Sequence, residues 1–376
     1  VFYVLNVAKI MVKIYVLPIS GGGFVSQLAL LAELYDATFE DDFAHTMRDS
    51  SLGIVHKRSL PGTPDLVLAS SGGNVAAYLA MVSGWSSGGI TNNISAVKAS
   101  IFVQPWTPPF LPSWVMFPFT QSLYRNGSGM DQLFMAMYTP ASIKQTEIWT
   151  GTYNTTTQRC GLFCNLSKED AFVQDGAAPY GNILYDADPY KYLNGDVVKI
   201  SKAVHASAAI PFITEGIYID DSKYIDGGLA YSSPIIPISD QLKVALDKYF
   251  QTPSPCRKLL QLFYFCSYDM DQQFTDSMWT KSVGLMIHSS ALQDRAFSLS
   301  FSRQYINFQK DPQIYKHLDS KKLRQVLGEI KNKSYIVFLY PLDARSLNVA
   351  DFSQQQLKEY VAWTRKHYAA IIWVSQ

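Results

Sequence analysis

The sequence predicts an α/β fold, because short apolar runs are twice followed by a small-residue turn and then by a helix-like segment. The first of these units lies at residues 14–34 and the second at residues 65–80. A third observation is a pair of short alternating strands around a polar turn at residues 217–228, which predicts a hairpin. Strands that alternate with helices along the chain are typical of the α/β class.

Three successive glycines, Gly21, Gly22 and Gly23, follow the first apolar run and are named the glycine loop here. Bare backbone N–H groups between a strand and a helix can converge on an anion, either a phosphate or the oxyanion of an acyl-transfer intermediate. A Walker loop would continue Gly-Lys-Ser/Thr, whereas residues 24–26 read Phe-Val-Ser, and the G-x-G-x-x-G spacing of dinucleotide sites is absent. The loop therefore favours an oxyanion hole, with a plain flexible turn as the alternative.

The second turn reads Ala-Ser-Ser-Gly-Gly and has the layout of a nucleophile elbow, in which a strained turn between strand and helix presents a serine. In the usual G-x-S-x-G spacing, the outer positions fall on Ala69 and Gly73. We therefore predict Ser71, rather than Ser70, as the nucleophile. The N–H of Gly72 can add to the oxyanion hole. The alternative is an ordinary Gly-Ser turn that leads into a helix.

The predicted hairpin ends at Asp226, directly before Gly227 and Gly228. A carboxylate at this place can take the proton of a serine hydroxyl as a general base. The alternative is an Asp-Gly turn whose carboxylate only caps the local backbone. Upstream, residues 201–211 predict a small-residue helix that is stopped by Pro211 and can approach the sheet closely.

Taken in order, the motifs G-G-G, x-S-x-G, A-S-A-A-I-P and D-G-G-L resemble those of the patatin-like phospholipase family over about residues 20–234. The resemblance implies a three-layer α/β/α fold with a mostly parallel central sheet. It also implies a Ser–Asp dyad that hydrolyses lipid acyl esters without a catalytic histidine. By position, Ser71 matches the nucleophile of the family and Asp226 its base, while the glycine loop matches the oxyanion hole.

Two features depart from the pattern of the family. The loop usually continues G-G-G-x-Arg/Lys-G, where this chain has Val25 and Ser26, so a positive charge near the oxyanion is lost while the backbone donors remain. Ala69 replaces the first glycine of the elbow, and its added methyl group reduces the free space at the turn. A catalytically silent lipid-binding homologue is therefore kept as an alternative.

The histidines test a competing mechanism, that of an α/β-hydrolase esterase with a Ser-His-Asp triad and a base histidine near the carboxyl end. The candidates after Asp226 are His288, His317 and His367. His317 and His367 stand in contexts typical of solvated helix positions, and His288 follows an apolar run typical of a core histidine. His205 belongs to the small-residue helix, where we expect a structural role. The elbow also follows the glycine loop by only about fifty residues, so the dyad is favoured.

Composition limits the classes of partner. The net charge is +1 and no basic stripe is present, which argues against nucleic acid. A transmembrane anchor needs an uninterrupted apolar run of about twenty residues, and the sequence contains no such run. The four cysteines are irregularly spaced and lack paired histidines, which argues against a zinc site. The hydrolase that the motifs imply needs no metal and no organic cofactor, so we expect neither. We expect a cytoplasmic protein, peripheral at membranes, whose lipid substrate lies at a membrane or micelle surface; nothing indicates its oligomeric state.

An insertion rich in proline and aromatic residues lies at about residues 102–137. Its prolines forbid a regular helix or a central strand, which predicts an irregular loop. Large apolar side chains on such a loop can enter a lipid interface or line an acyl-chain groove, and the alternative is packing on the protein's own core or on another subunit. As substrate or membrane contacts we select Trp106, Phe110, Trp114 and Phe117.

We predict one catalytic domain over residues 11–345 that includes this insertion. Residues 1–10 are interpreted as a leader or a translation artefact. Residues 334–341 predict a strand that is stopped by proline. Residues 346–376 are predicted to pack on the same domain as a C-terminal helix, with its helix-like stretch from about residue 353 to 370.

Overall fold

The described part of the chain forms a sheet of 11 strands with helices on both faces, and a separate ribbon of two strands. The structure is a computed structural model. It describes residues 11–21, 27–28, 31–32, 34–35, 62–94, 103–105, 122, 124–127, 129–143, 145–174, 185–211, 213–254, 257–266, 289, 292–294, 296–298, 300–301, 305, 313–315, 318–330, 332–341, 363 and 368–375.

The strands and helices are numbered in chain order. The strands are β1 (Met11–Ile19), β2 (Leu66–Ser70), β3 (Val103–Pro105), β4 (Tyr124–Asn126), β5 (Glu147–Asn154), β6 (Arg159–Cys164), β7 (Tyr185–Tyr192), β8 (Ile217–Ile219), β9 (Ser222–Asp226), β10 (Arg257–Phe265), β11 (Gln313–Tyr315), β12 (Tyr335–Pro341) and β13 (Tyr368–Val374). The helices are α1 (Ser71–Val82), α2 (Ser87–Ile94), α3 (Gly129–Met137), α4 (Pro140–Ile143), α5 (Val197–Ser207), α6 (Ser239–Gln251) and α7 (Ser320–Ile330).

The centre of the sheet is parallel. Its strand order is β11-β13-β12-β10-β1-β2-β5-β6-β7, and the neighbours from β12 through β5 all pair in parallel. Antiparallel pairs lie toward the edges, where β13 joins β12 and β6 joins β5. The predicted hairpin is confirmed as β8 and β9, and β9 pairs with β5. The mostly parallel central sheet of the sequence-based prediction is thereby confirmed.

Two buried clusters lie on opposite faces of the sheet, because successive side chains of a strand point to opposite sides. On one face, Leu17 of β1 packs in a cluster with buried side chains of α1, α5 and α7. On the other face, Val16 packs in a cluster with Leu242 and Leu246 of α6. Helices therefore cover both faces, which confirms the predicted three layers.

The carboxyl-terminal prediction is wrong at its end. Residues 368–374 form β13, antiparallel to β12, whereas the predicted helix extends to about residue 370. Ile371 and Ile372 are both buried and enter the clusters on opposite faces of the sheet. A short run that is apolar on both faces is typical of a buried strand. Residues 342–362 and 364–367 lie outside the described residues, so the helix prediction stays a prediction there, while the strand predicted at residues 334–341 is confirmed as β12.

The insertion begins and ends in regular structure. β3 and β4 form an antiparallel ribbon, and the Tyr124 N–H donates to the Ile213 carbonyl at 2.9 Å. Residues 129–137 form α3 rather than an irregular loop, because the prolines of the insertion stop at Pro118 and leave this stretch free to be helical. The selected aromatic residues lie outside the described residues, as do residues 1–10.

None of the helices in the described ranges has the length and apolarity to cross a bilayer. The longest of them, α6, has 13 residues, whereas about 20 are needed.

Candidate active site

The predicted elbow lies between β2 and α1. β2 ends at Ser70 and α1 begins at Ser71, so the strand, the sharp turn and the helix follow one another as predicted. The φ angle of Ser71 is +56°, in the left-handed region that non-glycine residues rarely adopt. Such a conformation persists only where the surrounding contacts enforce it.

A buried serine of α5 holds the backbone of the elbow. The N–H of Ser71 donates to Ser207 Oγ at 2.9 Å, and the Ser207 hydroxyl donates to the Gly151 carbonyl at 2.7 Å. Ser207 thus joins α5, α1 and β5 through one side chain. The sequence predicts this segment only as a helix that approaches the sheet closely. The signal for Ser207 was a hydroxyl in an otherwise apolar Ala-Ser-Ala-Ala stretch.

Close packing explains the residue types that flank the elbow. A Cβ atom built on Gly73 would lie 2.2 Å from the Ser20 carbonyl oxygen at the end of β1, so only glycine fits there. Ala69 is fully buried in the core cluster and pairs with Ile19 on one side and Thr150 on the other. The structure therefore has room for the methyl group that departs from the family pattern.

The structure brings Ser71 and Asp226 into contact. The Ser71 hydroxyl donates to Asp226 Oδ2 at 2.7 Å, although 155 positions separate the two residues. Asp226 ends β9, pairs with Thr152 of β5, and donates its N–H to the Ala209 carbonyl at 3.0 Å. Its second oxygen, Oδ1, accepts from the Gly228 N–H at 2.7 Å. Backbone contacts on both sides therefore set the position of this carboxyl group.

Burial changes the acidity of Asp226. The side chains of Ser71 and Asp226 are both buried, and loss of hydration raises the pKa of Asp226 from 3.8 to about 7. The hydrogen bonds from Ser71 and Gly228 lower the pKa but do not offset the burial. A carboxylate whose pKa lies near neutrality is a better proton acceptor than a solvated one.

The acceptor of the Ser71 hydroxyl is this carboxylate and not a histidine. His205 lies buried on α5, two positions before Ser207. His288, His317 and His367 lie outside the described residues.

The predicted oxyanion donors differ in what they contact. The Gly21 N–H donates to the Ser232 carbonyl at 2.7 Å. This amide is therefore used within the protein and does not point to an oxyanion, in contrast to the prediction. Gly72 lies in the first turn of α1, where N–H groups have no partner within the helix and the dipole favours negative charge. Gly22 and Gly23 lie outside the described residues.

The chain was compared with solved structures, curated sequences and protein families. The chain matches a structure of VipD from Legionella pneumophila with a TM-score of 0.28 and 11% identity, over 94% of this chain and 67% of VipD. No curated protein sequence matches the chain. The family model described as patatin-like phospholipase matches residues 20–238, a span that includes both Ser71 and Asp226. The chain belongs to the patatin-like phospholipase family.

Proposed function

We propose that the protein hydrolyses carboxylic esters of phospholipids or related glycerolipids, with Ser71 as nucleophile and Asp226 as its base. The observation that carries this proposal is the 2.7 Å hydrogen bond from the Ser71 hydroxyl to the buried Asp226 carboxylate. Membership of the family supports lipid acyl hydrolase activity in general. The strained backbone of Ser71 supports the assignment further, because such strain concentrates at functional positions.

The acylation step follows from the hydrogen bond. Ser71 Oγ attacks the ester carbonyl carbon while its proton passes to Asp226 Oδ2. The carbonyl oxygen becomes an oxyanion, which would accept hydrogen bonds from the Gly72 N–H and from the amides of Gly22 and Gly23. When the tetrahedral intermediate collapses, the C–O bond to the alcohol breaks and the alcohol leaves with the proton of Asp226. The acyl group is then an ester of Ser71.

Deacylation reverses these roles with water. Asp226, again a carboxylate, takes a proton from water as the water oxygen attacks the acyl carbon. Collapse of the second intermediate breaks the bond to Ser71 Oγ, which recovers its proton from Asp226, and the fatty acid leaves. The pKa of Asp226, raised to about 7 by burial, suits a group that must accept and release a proton near neutral pH.

Labelling of the protein with a fluorophosphonate probe tests whether Ser71 and Asp226 act as the nucleophile and its base. The wild-type protein is expected to react, whereas Ser71→Ala should not label and Asp226→Asn should label much more slowly. Ser70→Ala is the matched control, because Ser70 is also a buried serine and lies one position away. Strong labelling of Ser71→Ala would contradict the proposed nucleophile. A wild-type protein that binds lipid without labelling or turnover would instead be a catalytically silent homologue.

The lipid surface is proposed to contact the insertion. β4 pairs with residues 213–214, which follow closely after the Ala209 carbonyl that accepts from Asp226. The base of the insertion is thereby tied to the segment that holds Asp226, and Ile213 in this segment is exposed. Apolar side chains beside the site suit contact with lipid.

Alanine substitution of the aromatic residues tests this contact. Changing Trp106, Trp114 and Phe117 to alanine should weaken binding to liposomes while leaving hydrolysis of a soluble short-chain ester intact, because only the former needs the insertion at an interface. Unchanged binding to liposomes would contradict the proposed contact, whereas equal loss on both substrates would show a folding defect instead.

A further inference from the structure

Residues 231–233, named the strap here, follow the Asp-Gly-Gly motif and connect three parts of the molecule. The Tyr231 hydroxyl donates to the Thr152 carbonyl of β5 at 2.8 Å. The Ser232 carbonyl accepts the Gly21 N–H of the glycine loop at 2.7 Å. The Ser233 N–H donates to Asp294 Oδ2. The strap therefore links the sheet, the glycine loop and a carboxyl group from the last third of the chain.

Asp294 is a buried carboxyl group that the proposed reaction does not use. It is fully buried within helical residues 292–294, which lie between β10 and β11 and outside the span 20–238 that matches the family model. Burial raises the pKa of Asp294 to about 8, while the Ser233 N–H and the hydroxyls of Ser233 and Tyr264 lower it. The neutral acid therefore predominates at pH 7, and its oxygen accepts the strap without a buried charge.

Gly21, the strap and Ser71 pack with little spare room. A Cβ atom built on Gly21 would lie 3.2 Å from the Ser71 Cβ and 3.7 Å from the Ser232 carbonyl oxygen. A Cβ atom built on Gly228 would also lie 3.2 Å from the Ser71 Cβ, and the one built on Gly21 would lie 3.9 Å from the Gly228 Cα. A shift of the strap would therefore carry Gly21 with it and change the spacing between the glycine loop and Ser71.

We propose that Asp294 is a positioning residue, which holds the strap by the Ser233 N–H and, through the Ser232 carbonyl, sets Gly21, the first residue of the glycine loop, against Ser71. This inference rests on the proposed function of the loop as an oxyanion hole. Asp294 exchanges no proton with the substrate and forms no bond to it. It acts by geometry, and a misplacement of about 1 Å among catalytic groups can lower the rate by about a hundredfold.

Two substitutions of similar volume test whether the acceptor oxygen of Asp294, rather than the space that its side chain fills, is what holds the strap. Asp294→Asn keeps a carbonyl oxygen that can accept the Ser233 N–H, and it copies the neutral acid. Asp294→Leu fills the same space without an acceptor. Leu327→Ala, a change at a fully buried residue of α7, is the control for loss of stability elsewhere in the same third of the chain. All are compared with the wild-type full chain on a soluble short-chain ester and by hydrogen exchange of peptides that contain Gly21 or the strap.

We expect Asp294→Leu to lower kcat by roughly tenfold to a hundredfold with KM within about threefold of wild type. Exchange should rise in the peptides of the loop and the strap. Asp294→Asn should restore both measurements, and Leu327→Ala should lower the melting temperature while keeping the kcat of the folded protein. Should Asp294→Leu not fold, Asp294→Ala is measured against Asp294→Asn in its place.

Equal kcat and equal exchange in Asp294→Asn, Asp294→Leu and the wild type would overturn the inference. So would a loss of kcat that merely follows the unfolded fraction, as in the control. If the wild type itself shows no turnover that depends on Ser71, the proposed function fails, and the exchange of the Gly21 peptide still decides whether Asp294 holds the loop.

Discussion

A buried carboxyl group lies at each end of β5, and the two groups have similar pKa values but different surroundings: Glu147 belongs to β5 itself, and Asp226 belongs to β9, which pairs with β5. At the amino end, burial raises the pKa of Glu147 to about 7. Glu147 Oε1 accepts from Trp149 Nε1 at 2.7 Å and from the Val173 N–H at 3.1 Å, and Oε2 accepts from the Phe172 N–H. Both oxygens are thus used to fasten the loop at residues 171–173 to the start of the strand.

At the carboxyl end of β5, Thr152 pairs with Asp226, whose pKa burial also raises to about 7. One oxygen of Asp226 accepts a backbone N–H, from Gly228, and the other accepts the hydroxyl of Ser71. The difference is that one carboxyl group is saturated by fixed donors, while the other faces a group that can give up its proton. A raised pKa therefore marks burial at both ends, and only the identity of the donor distinguishes Asp226, the proposed base, from Glu147, which holds a loop.

The largest expected effect separates these two carboxyl groups directly. Asp226→Asn should lower kcat by about 10³-fold, because a general base contributes on this scale. Glu147→Gln should keep kcat and lower the free energy of unfolding by about 1–3 kcal/mol, because one of its fixed donors loses an acceptor. Ester hydrolysis and urea unfolding of the two variants are the measurements. Comparable losses of kcat in both variants would remove the distinction between the two ends of the strand.

The pH dependence of kcat/KM is the next largest effect. Asp226 must be ionised to take the Ser71 proton, and its pKa is about 7, so kcat/KM should fall about tenfold per pH unit below that value and level off above it. Glu147→Gln should keep this acid limb, because Glu147 takes no part in the reaction. If the acid limb disappears in Glu147→Gln, the titrating group is Glu147 and not Asp226, which would contradict this prediction.

Ser207→Ala should have an intermediate effect at the end of β5 that lies near Asp226. It removes the acceptor of the Ser71 N–H and the donor to the Gly151 carbonyl, so the strained elbow loses one of its supports. We expect kcat to fall roughly tenfold with KM little changed. Ser201→Ala, at an equally buried serine of the same helix, is the control. The same kcat in both variants would show that Ser207 does not position the elbow.

The smallest expected effect is that of Ala69→Gly, which restores the family residue beside Thr150 of β5. Because the Ala69 methyl already packs in the core, kcat should stay within about threefold, and the free energy of unfolding should fall by about 1 kcal/mol. Kinetics and urea unfolding test this. A large rise in kcat would show that the methyl group restrains the elbow after all.

Much of the site was predictable because it depends on local backbone chemistry. The elbow at Ser71 and the hairpin that ends at Asp226 need small residues and glycines at particular positions, and these are visible in the sequence. The roles of Ser207 and Asp294 were not predictable, since each depends on a contact between distant parts of the chain. The contact of Gly21 with Ser232 was missed for the same reason.

The carboxyl-terminal error has a different cause. The stretch that ends in β13 contains apolar residues at spacings compatible with a helix, and only its pairing with β12 turns residues 368–374 into a strand. Short apolar runs are ambiguous between helix and strand when periodicity alone is used. The tertiary contact with β12 therefore determines the secondary structure of this segment.

The place of β10 in the sheet has a consequence for how the protein is made. β10 lies between β1 and β12, so Met11, the first residue of β1, has Arg257 as its partner. During synthesis, β1 and β2 leave the ribosome long before β10 does, and one edge of β1 then presents unpaired amides and apolar side chains. Such late, non-local pairing slows folding. A nascent chain that ends before β10 would contain both Ser71 and Asp226 but would lack the strand that completes the centre of the sheet.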